Sequence, residues 1–204
     1  MWEMASERNL PRMIFVNKMD RENVEFSQVM DSLVENFGRQ CVALQEPMGS
    51  EGNFSGSISL LDHESDIPDD LQDQVEAARE RLTEIIAESD DELATKYLEG
   101  EPISSEELVA GLRQGVSSGF IVPVLLGAAT VELGAIELMD AIVDLMPSAS
   151  ETSPTIATNP SDQEEVTLTG NPEGPMEALI FKTTADPFVG KLSYLRVYNG
   201  TFKS

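Results

Sequence analysis

Apolar residues recur along this chain with two different spacings. Residues 13–16 form an apolar run that stops at the polar Asn17; it is too short for a helix and predicts a buried strand. Phe26, Val29, Met30, Leu33 and Phe37 follow at helical spacing, and Gly38 stands where a left-handed stop would end that helix. Residues 42–44 and 58–61 predict short strands, and residues 46–57, rich in Gly, Ser and Pro, read as a loop between them. Leu71, Val75, Ala78, Leu82 and Ile85 mark a second helix, with Pro68 and Asp69 suited to its start. Ser89 with Glu92, and Ser104 with Glu107, have the spacing at which a side-chain oxygen and a carboxylate cap each other's backbone N–H. They predict a short helix ending near Gly100 and a longer one running to about Ser118. Residues 121–126, five of the six apolar, predict a strand buried on both faces. Ile136, Met139, Ile142, Val143 and Met146 then mark a helix that Pro147 ends. Residues 148–175 lack apolar periodicity and read as a linker with one short strand near 166–168. From Glu177 the spacing becomes that of strands, at 177–182 and 191–197, with Asn199-Gly200 as a hairpin-turn signal.

Charge changes this picture. The 204 residues carry 37 acidic and 13 basic side chains, a net charge of −24. Residues 62–107 hold 17 carboxylates against only Arg79, Arg81 and Lys96. Such a surface does not wrap nucleic acid by neutralising phosphates, so no direct nucleic-acid contact is expected from this stretch. The 41% hydrophobic content is enough to bury a core. Cys41 is the single cysteine, so no internal disulfide forms and nothing implies an oxidising compartment. No apolar run approaches the ~20 residues that cross a bilayer, and residues 1–12 carry mixed charge without an apolar signal core. A cytoplasmic protein without a membrane partner is the expectation. The sole histidine, His63, reads as an exposed loop residue, and the carboxylate runs read as solvated helix starts favoured by the helix dipole, with no metal site.

Asn17-Lys18-Met19-Asp20 follows a predicted strand and precedes a predicted helix, the carboxyl edge of an open α/β sheet where ligands bind. The residue types suit guanine. Its N1–H and exocyclic amine are adjacent donors, and the single carboxylate of Asp20 can accept from both. Asn17 can donate to the base and brace neighbouring loops, while the aliphatic stem of Lys18 can cover the ring. Adenine lacks the N1–H and would leave the carboxylate unpaired, a penalty worth a discrimination of about 10⁴-fold or more. Read blandly, the same four residues are a polar strand-to-helix turn. Gly127-Ala128-Ala129-Thr130 follows the second buried strand, and its small side chains would let a backbone N–H approach a purine oxygen; a plain tight turn explains them equally well.

Over essentially its whole length the sequence resembles bacterial elongation factor G, a translational GTPase. The matching stretches are FVNKMDR at 15–21, KYLEGEP at 96–102, PVLLGAA at 123–129, LMDAIVDLMPS at 138–148 and DPFVGKLSYLRVYNGTF at 186–202. The resemblance implies an α/β fold: the C-terminal part of a P-loop GTPase domain with an inserted α+β subdomain, followed by the first strands of a β-barrel domain. Residues 1–40 and 120–147 would belong to the GTPase domain, 41–119 to the acidic insert, 148–175 to the linker and 176–204 to the barrel. It further implies that Asn17, Lys18 and Asp20 read guanine, that Ala128 and Ala129 lie in the second base-reading loop, and that Ala129 offers its N–H to the guanine oxygen. Ala128 stands where the family commonly has a bracing Ser, and Val131-Glu132-Leu133 replaces an often basic stretch. Both departures point to a divergent elongation factor G-like branch.

A GTPase also needs G-x-x-x-x-G-K-[ST] for the phosphates and Asp-x-x-Gly for the metal-side switch. Neither occurs in this sequence; the Gly190-Lys191 pair has Ala185 and Leu192 at the deciding positions. The chain therefore reads as a fragment with no catalytic residue. GTP or GDP with Mg²⁺ would be cofactors of the parent, and none is expected on the fragment, because guanine contacts without phosphate contacts give negligible binding. The resemblance implies the ribosome, including its stalk protein, as partner of the parent. Two other readings stay open: a ribosomal protection or release factor relative, and a non-enzymatic acidic module that docks a basic stalk domain.

Overall fold

The computed structural model describes residues 1–62, 66–152, 154–159 and 163–203, and His63 lies outside them. The chain divides into two compact units, Met1–Met146 and Pro147–Ser204.

The first unit is built on a three-stranded parallel sheet. Strand β1 (Ile14–Val16), helix α2 (Phe26–Phe37) and strand β2 (Cys41–Ala43) follow a short N-terminal helix α1 (Trp2–Ser6). The sheet closes only much later, when β5 (Val122–Leu126) inserts between β1 and β2. Its register aligns Val16 with Leu126 on one side and Ala43 with Val124 on the other. All five residues of β5 are buried, as expected for a central strand covered on both faces. Residues 41–43 thus run along the main sheet, and the chain leaves it only after Ala43.

Between β2 and β5 lie a hairpin and three helices. Strands β3 (Gln45–Met48) and β4 (Gly56–Ser59) pair antiparallel, so the loop expected over 46–57 is the connection of a hairpin whose strands take residues 46–48 and 56–57 of it. Its polar sequence hides it: only Ile58 of β4 is buried, and β3 buries Gln45, a residue no hydrophobic pattern selects. Helices α3 (Gln72–Glu88), α4 (Asp91–Glu99) and α5 (Ser105–Ser118) follow. Helix α3 begins a turn later than Pro68 suggests, because the Pro68 carbonyl takes the Leu71 N–H in a preceding turn. The cap of α4 is Asp90, not Ser89. Asp90 Oδ1 accepts from the N–H of Glu92 and of Leu93, while Ser89 Oγ donates to the Ile86 carbonyl. A carboxylate is the stronger acceptor at a helix N-terminus, and it takes the role from the neighbouring hydroxyl. The Ser104–Glu107 capping box at α5 is complete in both directions.

Val75, Ile86, Leu112, Val116 and Ile121 have no exposed surface and form the centre of the apolar cluster beneath these helices; Leu44, Ile58 and Leu60 of the hairpin region join it. A second cluster under the sheet contains Met19, Phe26, Phe54, Val122, Val124, Leu126 and Ala128. Trp2 packs against it with its ring 4.5 Å from that of Phe37, and the Arg12 guanidinium lies over the indole. Burial pushes the Cys41 thiol above its ordinary pKa, which Arg12 partly offsets. Helix α6 (Ala135–Leu145) completes the unit. No helix among the described residues is long and apolar enough to cross a membrane.

The second unit holds two antiparallel hairpins. Strands β6 (Thr155–Thr158) and β7 (Glu165–Leu168) pair inside the stretch expected to be linker. Strand β7 is the one expected near 166–168; β6, Thr-Ile-Ala-Thr, is too short for its alternation to be read. Strands β8 (Glu177–Asp186) and β9 (Gly190–Asn199) form a longer hairpin. Its turn is at residues 187–189, where Asp186 Oδ1 accepts from the N–H of Phe188 and of Val189. Those bonds hold the Asp186 carboxyl below its ordinary pKa. Asn199-Gly200 lies at the far end of this hairpin, where β9 stops. Asn199 is buried, accepts from Asn171 N–H at 3.0 Å and donates to the Pro175 carbonyl at 3.1 Å, which ties the end of β9 to the preceding loop.

Candidate guanine-reading site

Parallel pairing of β1 with β5 brings two loops to the same sheet edge, residues 17–21 after β1 and residues 127–134 after β5. Four hydrogen bonds join or root them. Gly127 N–H donates to the Val16 carbonyl at 2.9 Å, and Met19 N–H donates to the Gly127 carbonyl at 3.1 Å. Asn17 Oδ1 accepts from its neighbour Lys18 N–H at 2.8 Å and from Ala129 N–H at 3.0 Å. Asn17 is thus the side-chain brace between the loops.

The other expected residues divide clearly. Lys18 is exposed and sits at φ +68°, a left-handed conformation that costs a lysine about 1–2 kcal/mol. Such strain is kept where the surrounding bonds fix the loop. The side-chain oxygen Oδ1 of Asp20 is buried and has no hydrogen-bond partner among the described residues. A buried acceptor without a partner costs roughly 1–3 kcal/mol, more when charged. Ala128 is fully buried. Its N–H donates to the Leu133 carbonyl and its own carbonyl accepts from Leu133, so its backbone closes the second loop on itself and is not presented at the edge. This closure stands where the bracing hydroxyl of a Ser was expected. Ala129 is exposed, and the N–H expected to face a purine oxygen is the one that donates to Asn17.

Three contributors escape sequence reasoning. Met19 is 2% exposed and anchors the first loop in the sheet cluster. Leu133 supplies the bridge to Ala128. Gly134, at φ +82°, packs so closely that a Cβ there would lie 2.4 Å from the Leu126 carbonyl oxygen and 2.8 Å from Gly127 Cα. Only glycine lets residues 127 and 134 meet, and that contact sets the mouth of the loop. The one available signal was the pair of glycines seven residues apart.

Residues 1–148 match the family described as Elongation factor Tu GTP binding domain. The chain belongs to this family. It is a member of the translational GTPases, whose GTP-binding domains bind guanine nucleotides. Among solved structures, the crystal structure of a protein from Thermus thermophilus is similar at 26% identity with a TM-score of 0.76. The match covers 98% of this chain and 29% of that one, so this chain spans less than a third of its relative's length. The residues expected to meet guanine lie on these two loops, Asn17, Lys18 and Asp20 on the first and Ala128 and Ala129 on the second. They do not supply the phosphate loop or the metal-side switch of a GTPase, neither of which occurs in the sequence.

Proposed function

We propose that these residues are the guanine-reading part of an elongation factor G-like translational GTPase, whose parent couples GTP hydrolysis to ribosomal translocation. The observation that carries this reading is the buried, unpartnered Oδ1 of Asp20 beside two loops joined through Asn17 and Ala129. The carboxylate accepts N1–H and the exocyclic amine of guanine. The stem of Lys18 covers one ring face. The Ala129 N–H, now held by Asn17, is shared with the guanine oxygen when the base enters. GTP with Mg²⁺ belongs to the parent, where the phosphate loop supplies the remaining contacts; these 204 residues alone do not turn GTP over. The parent works on the ribosome, and the exposed carboxylates of α3–α5 suit a basic partner such as a stalk domain.

The test uses the purified chain and amide NMR. Guanosine at millimolar concentration is expected to shift the amides of Lys18, Asp20 and Ala129, and adenosine is not. Asp20→Asn exchanges an acceptor for a donor, so xanthosine, with a carbonyl where guanosine has its amine, should replace guanosine as the preferred ligand. Losing a charge-assisted bond should cost guanosine about tenfold or more in affinity. Equal responses to guanosine and adenosine would remove the base-reading proposal. Tight GTP binding or phosphate release by the chain would remove the claim that it is inactive alone.

A further inference from the structure

We propose that Gln45 and Glu51 are positioning residues for base recognition, and that the β3–β4 hairpin holds both base-reading loops from behind. This rests on the guanine reading above and assigns the hairpin a part in it.

Gln45 opens β3 and is 4% exposed. Its Oε1 accepts the N–H of Leu126 at 3.1 Å. Leu126 is the last residue of β5 and precedes Gly127. The parallel ladder explains the need. Val124 on the same side of β5 gives its carbonyl to the Leu44 N–H, but β2 ends at Ala43, so no β2 backbone acceptor is left two residues further along. Without Gln45 the buried Leu126 N–H would be an orphan at the root of the second loop. A side-chain amide substitutes for the missing strand.

Glu51 stands at the other end of the hairpin, in the helical turn Glu51–Asn53. Its Oε1 accepts the N–H of Asn23 at 2.7 Å. Asn23 lies three residues beyond Asp20. Asn23 and Glu51 both adopt left-handed backbones, φ +61° and +52°, and the bond between them fixes two conformations that neither residue favours alone. Phe54 next to this turn is buried in the same cluster as Met19, the central residue of the first loop.

The hairpin is therefore tied through Glu51 to Asn23, just past the first loop, and through Gln45 to Leu126 at the root of the second, while Phe54 lies in the cluster that holds Met19. Its Gln45 end is also joined to the acidic helices: Leu60 N–H donates to the Leu44 carbonyl at 3.0 Å, and Ile58 and Leu60 sit in the apolar cluster with Val75 of α3. One rigid two-stranded element thus joins the acidic helices to the base-reading edge.

The experiment compares Glu51→Ala with Glu51→Gln in the whole chain. Glu51 is exposed, so neither change disturbs the core. Loss of the acceptor in Glu51→Ala is expected to shift the ligand-free amides of Asn23, Met19 and Asp20, and to weaken guanosine by at least about twofold. Glu51→Gln keeps an acceptor and should restore both. Gln45→Met, of similar length without an acceptor, should move Gly127 and Ala129 instead. Unmoved Met19 and Asp20 amides in Glu51→Ala would overturn the proposal whatever guanosine does. No guanosine response in the unmodified chain, with these ligand-free shifts present, would instead count against the base-reading proposal.

Discussion

Asn17 Oδ1 accepts the backbone N–H of Ala129 at 3.0 Å, across 112 residues of sequence. The bond joins two loops that share no side-chain packing pattern legible in the chain. Replacing Asn17 with Ala leaves the Lys18 and Ala129 N–H groups without this acceptor. We predict that amide exchange at Ala129 rises about tenfold, the equivalent of roughly 1.4 kcal/mol for one net hydrogen bond. Asn17→Asp retains the oxygen and should keep most of the protection. Hydrogen exchange followed by NMR reads both; unchanged exchange in Asn17→Ala would show that the loop stands without the brace.

Helix α5 carries Gly111 in its interior. An alanine there normally stabilises an exposed helix by about 1 kcal/mol. Here the added Cβ would lie 2.5 Å from Leu93 Cδ1 and 2.9 Å from Ile86 Cγ2, in a cluster where Ile86 has no exposed surface. Overpacking of this kind costs roughly 1–3 kcal/mol and reverses the sign. Gly111→Ala should therefore lower the urea midpoint of the first unit, while a higher midpoint would mean that α4 moves aside at little cost.

Glu107 joins an ion pair to a capping box. Lys96 hydrogen-bonds its carboxylate, and the Ser104 N–H and hydroxyl donate to it, which together lower its pKa from 4.5 to about 2. A depressed carboxylate contributes stability that is complete above the unfolded value and is lost as pH falls through the folded one. The start of α5 should thus hold above pH 4.5 and loosen between 4.5 and about 2. The carboxyl ¹³C shift of Glu107 measures this directly; a midpoint at the unperturbed 4.5 would mean that solvent screens the pair completely.

Legibility followed the physics of each element. Strands β1 and β5 and helices α2, α3 and α6 were readable from their apolar spacing and α5 from its capping box, although Ile136, Met139 and Val143 of α6 stay exposed. The placement of residues 17–20 between β1 and α2 was readable because the apolar strand and the helix that flank them are. The β3–β4 hairpin was not, since its one deeply buried β3 side chain, Gln45, is buried to satisfy a backbone donor 81 residues away. Ser89 misled because the neighbouring Asp90 offers a better acceptor to the same helix start. Asn199, expected only as a turn signal, also holds the end of β9 to residues 171–175.

The strand order β1-β5-β2 also has a consequence in time. Neither β1 nor β2 hydrogen-bonds to the other; each meets only β5, the last of the three to be synthesised. A growing chain can assemble the hairpin and α3–α5 from nearby contacts while the flanking strands wait. Only once residues 122–134 have been made can the sheet pair and both loops meet at one rim, closing contacts as distant in sequence as Asn17 with Ala129.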